Sequence, residues 1–179
     1  MKETGSDYDF CWHDLGDLQL GRPNLGLMVP VQVYRLLEYT FRDVLTKEFG
    51  AEKAASLFVQ AGHLAGRQFC THVLDVRLPW PDFIAQLQNT LVALQIGILR
   101  IEAADFENLR FTLTVSEDLD CSGLPLYGET VCDYDEGFIA GILQTYTGQP
   151  FTVREVDCWA TGDRTCRFLA QKQEVPEGA

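Results

Sequence analysis

The chain has 179 residues, 46% of them hydrophobic, enough for one domain with a sizeable core. That length is too short for a sensor joined to both an ATPase and a DNA-binding module. Its formal charge of −12, from 14 basic and 26 acidic residues, comes without a Lys/Arg cluster, which argues against direct nucleic-acid binding and against docking on an anionic membrane.

The opening residues are polar and lack the apolar stretch of a signal peptide. No segment reaches the roughly 18 uninterrupted apolar residues of a spanning helix. Six cysteines without a secretion signal therefore predict a cytoplasmic protein whose thiols are free to bind metal. The ends, about 1–15 and 172–179, are expected to be flexible around a single domain spanning 1–179. Residues 16–26 are rich in Gly, Pro and Asn and predict turns around a short strand.

From Pro30 the pattern changes to helical spacing. Val31, Tyr34, Leu37, Phe41 and Leu45 recur every three or four residues, which predicts an apolar helix face ending at Gly50. A second helix is predicted over 51–73, with Ala54, Leu57, Phe58, Ala61, Leu64, Ala65 and Phe69 on its apolar side. Its Gly62 and Gly66 suit a close approach to a neighbouring helix. His63 and His72, nine apart, share no helical face and read as surface or hydrogen-bonded side chains, as does His13.

After Leu78-Pro79-Trp80-Pro81 a third helix is predicted over 81–95, burying Phe83, Ile84, Leu87, Leu91 and Leu94. Alternation then predicts a hairpin with one wet face, its inner side carrying Leu109, Phe111, Leu113 and Val115. Residues 116–128 read as an acidic, solvated loop. A fourth helix is predicted over 131–147 and a second hairpin from strands near 151–158 and 165–170. Three helices, two strands, one helix and two strands predict an α+β domain, an antiparallel sheet with helices packed on it.

Residues 131–168 read VCDYDEGFIAGILQTYTGQPFTVREVDCWATGDRTCRF. Cys132, Glu155, Cys158 and Cys166 have the residue types of a closed, structural zinc site. Cys158 and Cys166 flank a Gly162-Asp163 turn, and Cys132 stands at a helix start. Strict alternation puts Glu155 and Cys158 on opposite strand faces, so joint ligation requires a bulge or strand end between them. The same residues also admit buried thiols or a Cys158–Cys166 disulfide. Cys11, Cys70 and Cys121 read as small buried hydrophobes.

Cys132-Asp133-Tyr134 leading into Gly137-Phe138-Ile139-Ala140-Gly141, then Glu155, Cys158, Gly162-Asp163, Cys166 and Phe168, resembles the 4-vinyl reductase (4VR) domain family. That family includes the sensory domain of phenol- and xylene-responsive activators and is related to TRAPP subunits and haem-based nitric oxide sensors. The resemblance implies a NO-signalling/Golgi-transport ligand-binding-like fold. It also implies Zn2+ on Cys132, Glu155, Cys158 and Cys166, and a homodimer whose candidate contact faces are the helix from Val31 and the Gly62/Gly66 helix. Phe83 and Phe111 occupy the positions at which the phenol sensors carry their histidine and tryptophan. A phenol hydroxyl would be left unpaired there, at a cost of about 1–3 kcal/mol. The departure favours a more apolar or differently functionalised ligand.

The expected function is a cytosolic small-molecule sensor with structural zinc. It would bind a hydrophobic or aromatic ligand among Phe83, Leu109, Phe111, Leu113, Ile139, Ile142 and Val153, with Trp80 and Tyr134 nearby, and signal to a downstream regulatory partner. A tetrapyrrole vinyl reductase or accessory protein is the alternative, although no G-x-G-x-x-G, P-loop, G-x-S-x-G or CxxC motif supplies a redox centre. A structural adaptor is the third reading.

Overall fold

A computed structural model describes residues 8–174. The outermost parts of the ends expected to be flexible, 1–7 and 175–179, lie outside them. Within the described residues, Trp12–Leu15 forms a 3-10 turn and the last strand runs to Lys172.

In place of the short strand expected near residue 18, Leu18–Gly21 forms one helical turn, α1, because Asp17 accepts a hydrogen bond from the Leu20 N–H at 2.9 Å. Helix α2 spans Val31–Phe49 and α3 Ala51–Val73, broken only by Gly50 at φ +83°, a value open to glycine. Helix α4 is Trp80–Ala93, with Pro81 in its first turn. Strands β1 (Ile98–Asp105) and β2 (Arg110–Ser116) form the first hairpin. Helix α5 (Asp133–Thr147) ends at left-handed Gly148 and precedes β3 (Phe151–Asp157) and β4 (Cys166–Lys172). All pairings are antiparallel, in the order β1-β2-β4-β3. This is the α+β architecture that the element order predicts.

One face of the sheet meets α4 and α5. Phe83, Ile84, Leu87 and Leu91 of α4 join Leu99, Leu113, Val115, Ile142, Leu143 and Phe168 in the core. The other face carries charge, with Arg167 paired to Glu102 and Asp157. Helix α3 packs on α5 through glycines on both. A Cβ on Gly62 would stand 2.0 Å from the Tyr134 carbonyl oxygen, and one on Gly66 2.1 Å from that of Phe138. Gly137 and Gly141 meet Val59 and His63 in the same way, at 2.0 and 2.3 Å. The two backbones are in contact, so the Gly62/Gly66 face is used within the chain.

Helix α2 departs from its sequence pattern. The face expected to be apolar and buried is open, with Leu37 71% and Phe41 55% exposed, and its only buried residue is Glu38. What α2 turns inward is polar. Arg35 donates to the carbonyls of Leu119 and Asp118, Tyr34 to Asp120 Oδ1 at 2.8 Å and Tyr39 to the Asp120 carbonyl at 3.0 Å. Arg42 pairs with Asp133 and the Val131 carbonyl. Four hydrogen-bonding side chains hold this helix to the loop before α5, and hydrophobic periodicity cannot register them.

Candidate metal centre

The sulfurs of Cys121, Cys132, Cys158 and Cys166 lie within 4.8 Å of one another, all four residues buried. The Cys132 sulfur is 3.9 Å from both Cys158 and Cys166, and Cys121 is 3.1 Å from Cys166. Four thiolates at about 2.3 Å from zinc would stand roughly 3.8 Å apart at tetrahedral corners. Two of the measured edges match that value. All six cysteines are free, so the disulfide reading of Cys158 and Cys166 does not describe this structure.

Each sulfur is placed by a local device. Cys132 is the residue before α5, where the unpaired amides of the first turn favour a thiolate. Cys158 closes β3; its N–H donates to Thr161 Oγ1 at 3.1 Å, and the chain then turns through Gly162 at φ +110° to Cys166 at the start of β4. Cys121 comes from the 116–128 loop expected to be solvated. Asp118 Oδ1 accepts from the Asp120 and Cys121 amides at 2.8 and 3.1 Å, folding the loop inward. Asp118 and Asp120 are 4% and 3% exposed. Acidic composition pointed to solvent, but the partners that bury these residues are on α2, more than eighty positions away.

Glu155, expected among the ligands, stands beside the four sulfurs. The bulge that its position requires is present between Glu155 and Asp157, and both Glu155 and Cys158 turn inward. Its Oε2 accepts from the Cys132 N–H at 3.0 Å, and its own N–H donates to Glu136 Oε1 at 2.8 Å. Its Oε1 is buried without a hydrogen-bond partner. Burial, and then the charge on Cys158, push its carboxyl up to about 8. Cys121, read from sequence as a plain hydrophobe, takes the fourth place. Its position eleven residues before Cys132, in a loop without a turn-flanking partner, gave no spacing signal.

Hydrogen bonds among the sulfurs, that from Cys121 foremost, hold the Cys158 thiol far below its ordinary range and push Cys132 and Cys166 above theirs. The cluster thus already favours one thiolate. A closed set of four sulfurs suits zinc, and it suits iron as well.

Two cavities lie near this centre. An enclosed chamber of about 40 Å³ between α4, α5 and the sheet is lined by Phe83, Leu113, Ile139 and Ile142 among others, with Asp118 and Asp135 as its only charged walls. Of the other expected pocket residues, Phe111 stacks under Trp80 at 4.9 Å, Leu109 sits in the β1–β2 turn at φ +49°, and Val153 faces a groove beside α3. A second, open groove of about 310 Å³ borders the loop and α3.

Residues 111–172, which hold all four cysteines, match the family model of the 4-vinyl reductase (4VR) domain. The chain carries a 4VR domain. Over 164 residues, 90% of this chain and 88% of its relative, the chain is 25% identical to an uncharacterised protein of Methanocaldococcus jannaschii. A second such protein from that organism is also 25% identical, over 144 residues, 80% of this chain and 78% of the relative. Among solved structures, a vinyl-4-reductase family protein from Methanocaldococcus jannaschii superposes with TM-score 0.62 at 17% identity, covering 95% of this chain and 100% of that one. The phenol-responsive sensory domain of the transcription activator PoxR with phenol gives 0.61 at 14% identity, covering 82% and 76%. Trafficking protein particle complex subunit 3 from Naegleria fowleri, covalently bound to palmitic acid, gives 0.58 at 12%, covering 78% and 95%. At these identities the likeness establishes that the 4VR domain shares their fold. Among the described residues no helix is long and apolar enough to cross a membrane.

Proposed function

We propose that this chain is a small-molecule sensing domain braced by a structural zinc ion on Cys121, Cys132, Cys158 and Cys166. The observation that carries the metal reading is the mutual approach of four buried sulfurs from the loop, the start of α5, the end of β3 and the start of β4. A closed tetrathiolate leaves no position for a reacting water, so the ion's contribution is to join these segments. Glu155 then acts behind the ligands, fixing Cys132 through its N–H. The four-ligand set with Glu155 in place of Cys121 is the alternative.

Sensing is supported by the fold shared with the phenol-bound PoxR domain and by the apolar chamber beneath α4. At about 40 Å³ the chamber takes only a few heavy atoms. A hydrophobic or aromatic ligand therefore enters by displacing α4, and this movement would be the signal passed to a regulatory partner. The exposed apolar side of α2, including Val33, Leu36, Leu37 and Phe41, is the face on which two copies would pair, because the Gly62/Gly66 face is filled by α5. Six free cysteines suit a reducing cytoplasm.

Titrating purified protein with toluene and phenol while following its melting temperature tests the sensing reading. A saturable rise with toluene exceeding that with phenol is expected. Absence of saturation by any apolar ring would contradict it.

A further inference from the structure

The open groove beside the metal loop has features that a chamber for a neutral apolar ligand does not need. Its walls are aromatic, with Trp12, Tyr34, Phe69, Tyr134 and Phe138 around it, and its volume of about 310 Å³ suits a small organic molecule. Asp120 and Asp135 also line it. Asp120 is 3% exposed, and its Oδ2 is buried with no hydrogen-bond partner, while its Oδ1 accepts from Tyr34. Asp135 Oδ2 is likewise buried and unpartnered. Among the described residues no Lys, Arg or His lines the groove. Arg35 and Arg42 of α2 donate to the main chain of residues 118, 119 and 131 and to Asp133, not to these two carboxylates.

Buried acceptors without donors are costly in proportion to their charge, and the neighbouring rings offer their negative faces to the same space. Only one class of small molecule answers both features. We propose that the groove binds an organic ammonium ion, an amine with an aryl or alkyl body. Its N–H groups donate to Asp120 Oδ2 and Asp135 Oδ2, and its body lies against Trp12, Phe69 and Phe138. The site is separate from the inner chamber, although Ile96, Asp135 and Phe138 border both. It therefore stands whether or not the chamber takes a ligand. Because Asp120 adjoins Cys121, occupancy would also bear on the metal loop.

Calorimetric titration of the metal-replete protein with phenethylamine, 2-phenylethanol and 3-phenylpropionate tests this assignment. Saturable binding of the amine is expected, with the alcohol roughly tenfold weaker or more and the acid not binding. Asp120→Asn and Asp135→Asn should each weaken the amine by at least about tenfold at unchanged metal content. Should Asp120→Asn fail to fold, Trp12→Ala, at the rim, should weaken the amine without altering the melting temperature. The proposal is overturned if alcohol and amine bind alike, if the amine does not bind, or if no variant affects it. Binding of calcium alone with the same dependence on Asp120, and no amine binding, would assign the acids to a metal ion instead.

Discussion

The sulfurs of Cys121 and Cys166, 45 residues apart in sequence, lie 3.1 Å from each other in the core. That is nearer than any other recorded sulfur pair, and only about 1 Å beyond a covalent S–S bond. Chelation followed by mild oxidation should therefore link Cys121 to Cys166 first, and not Cys158 to Cys166 across the Gly162 turn. Peptide mapping of the oxidised protein reads the pairing directly; a dominant Cys158–Cys166 bridge would contradict this geometry.

The α3–α5 contact gives a second expectation. A methyl group on Gly66 or Gly137 would meet a main-chain oxygen at 2.1 or 2.0 Å, and neither backbone can yield alone. Gly66→Ala and Gly137→Ala should each destabilise the protein by about 3 kcal/mol, the upper end for overpacking. Gly123→Ala meets no neighbour, but it sits at φ +92°, so it should cost only about 1 kcal/mol of backbone strain. Denaturant melts of the three variants check the order.

Much of this architecture is legible in the sequence, and the exceptions share a cause. Cys132, Cys158 and Cys166 could be read because helix starts and glycine turns are local signals. The spacing of Phe83, Leu87 and Leu91 marked α4 in the same way. Cys121, Asp118 and Asp120 could not be read, since their burial is imposed by Tyr34, Arg35 and Tyr39 from another element. Helix α2 misled for the converse reason. Its regular apolar residues face outward, while polar side chains make its contacts.

That clamp is testable at Tyr34. Its hydroxyl supplies the hydrogen bond to Asp120 Oδ1. Tyr34→Phe removes one donor from a buried carboxylate and should cost roughly 1–3 kcal/mol, more than an exposed Tyr→Phe change. Equal stability of variant and parent in urea would show that the loop is held without α2.

Glu38 predicts a pH dependence. Burial, with Asp120 adding to it, pushes its carboxyl from about 4.5 up to about 8. Between these values the folded chain keeps a proton that the unfolded chain has released, so the stability this group supplies at acid pH falls from about pH 4.5 to about pH 8 and is flat above. Glu38→Gln removes that slope. Its stability relative to the parent should rise across the same interval, as followed by urea denaturation at pH 5 and pH 8. An unchanged difference would mean that Glu38 titrates as an ordinary exposed acid.

The most direct measurement is elemental analysis of the native protein beside Cys121→Ser and Glu155→Gln. About one zinc per chain is expected in the parent and in Glu155→Gln, which keeps an acceptor for the Cys132 N–H. Cys121→Ser should lose the metal and roughly 10 °C or more in melting temperature. A folded parent without zinc or iron, or a Cys121→Ser variant that keeps full metal and stability while Glu155→Gln loses both, would contradict the tetrathiolate centre.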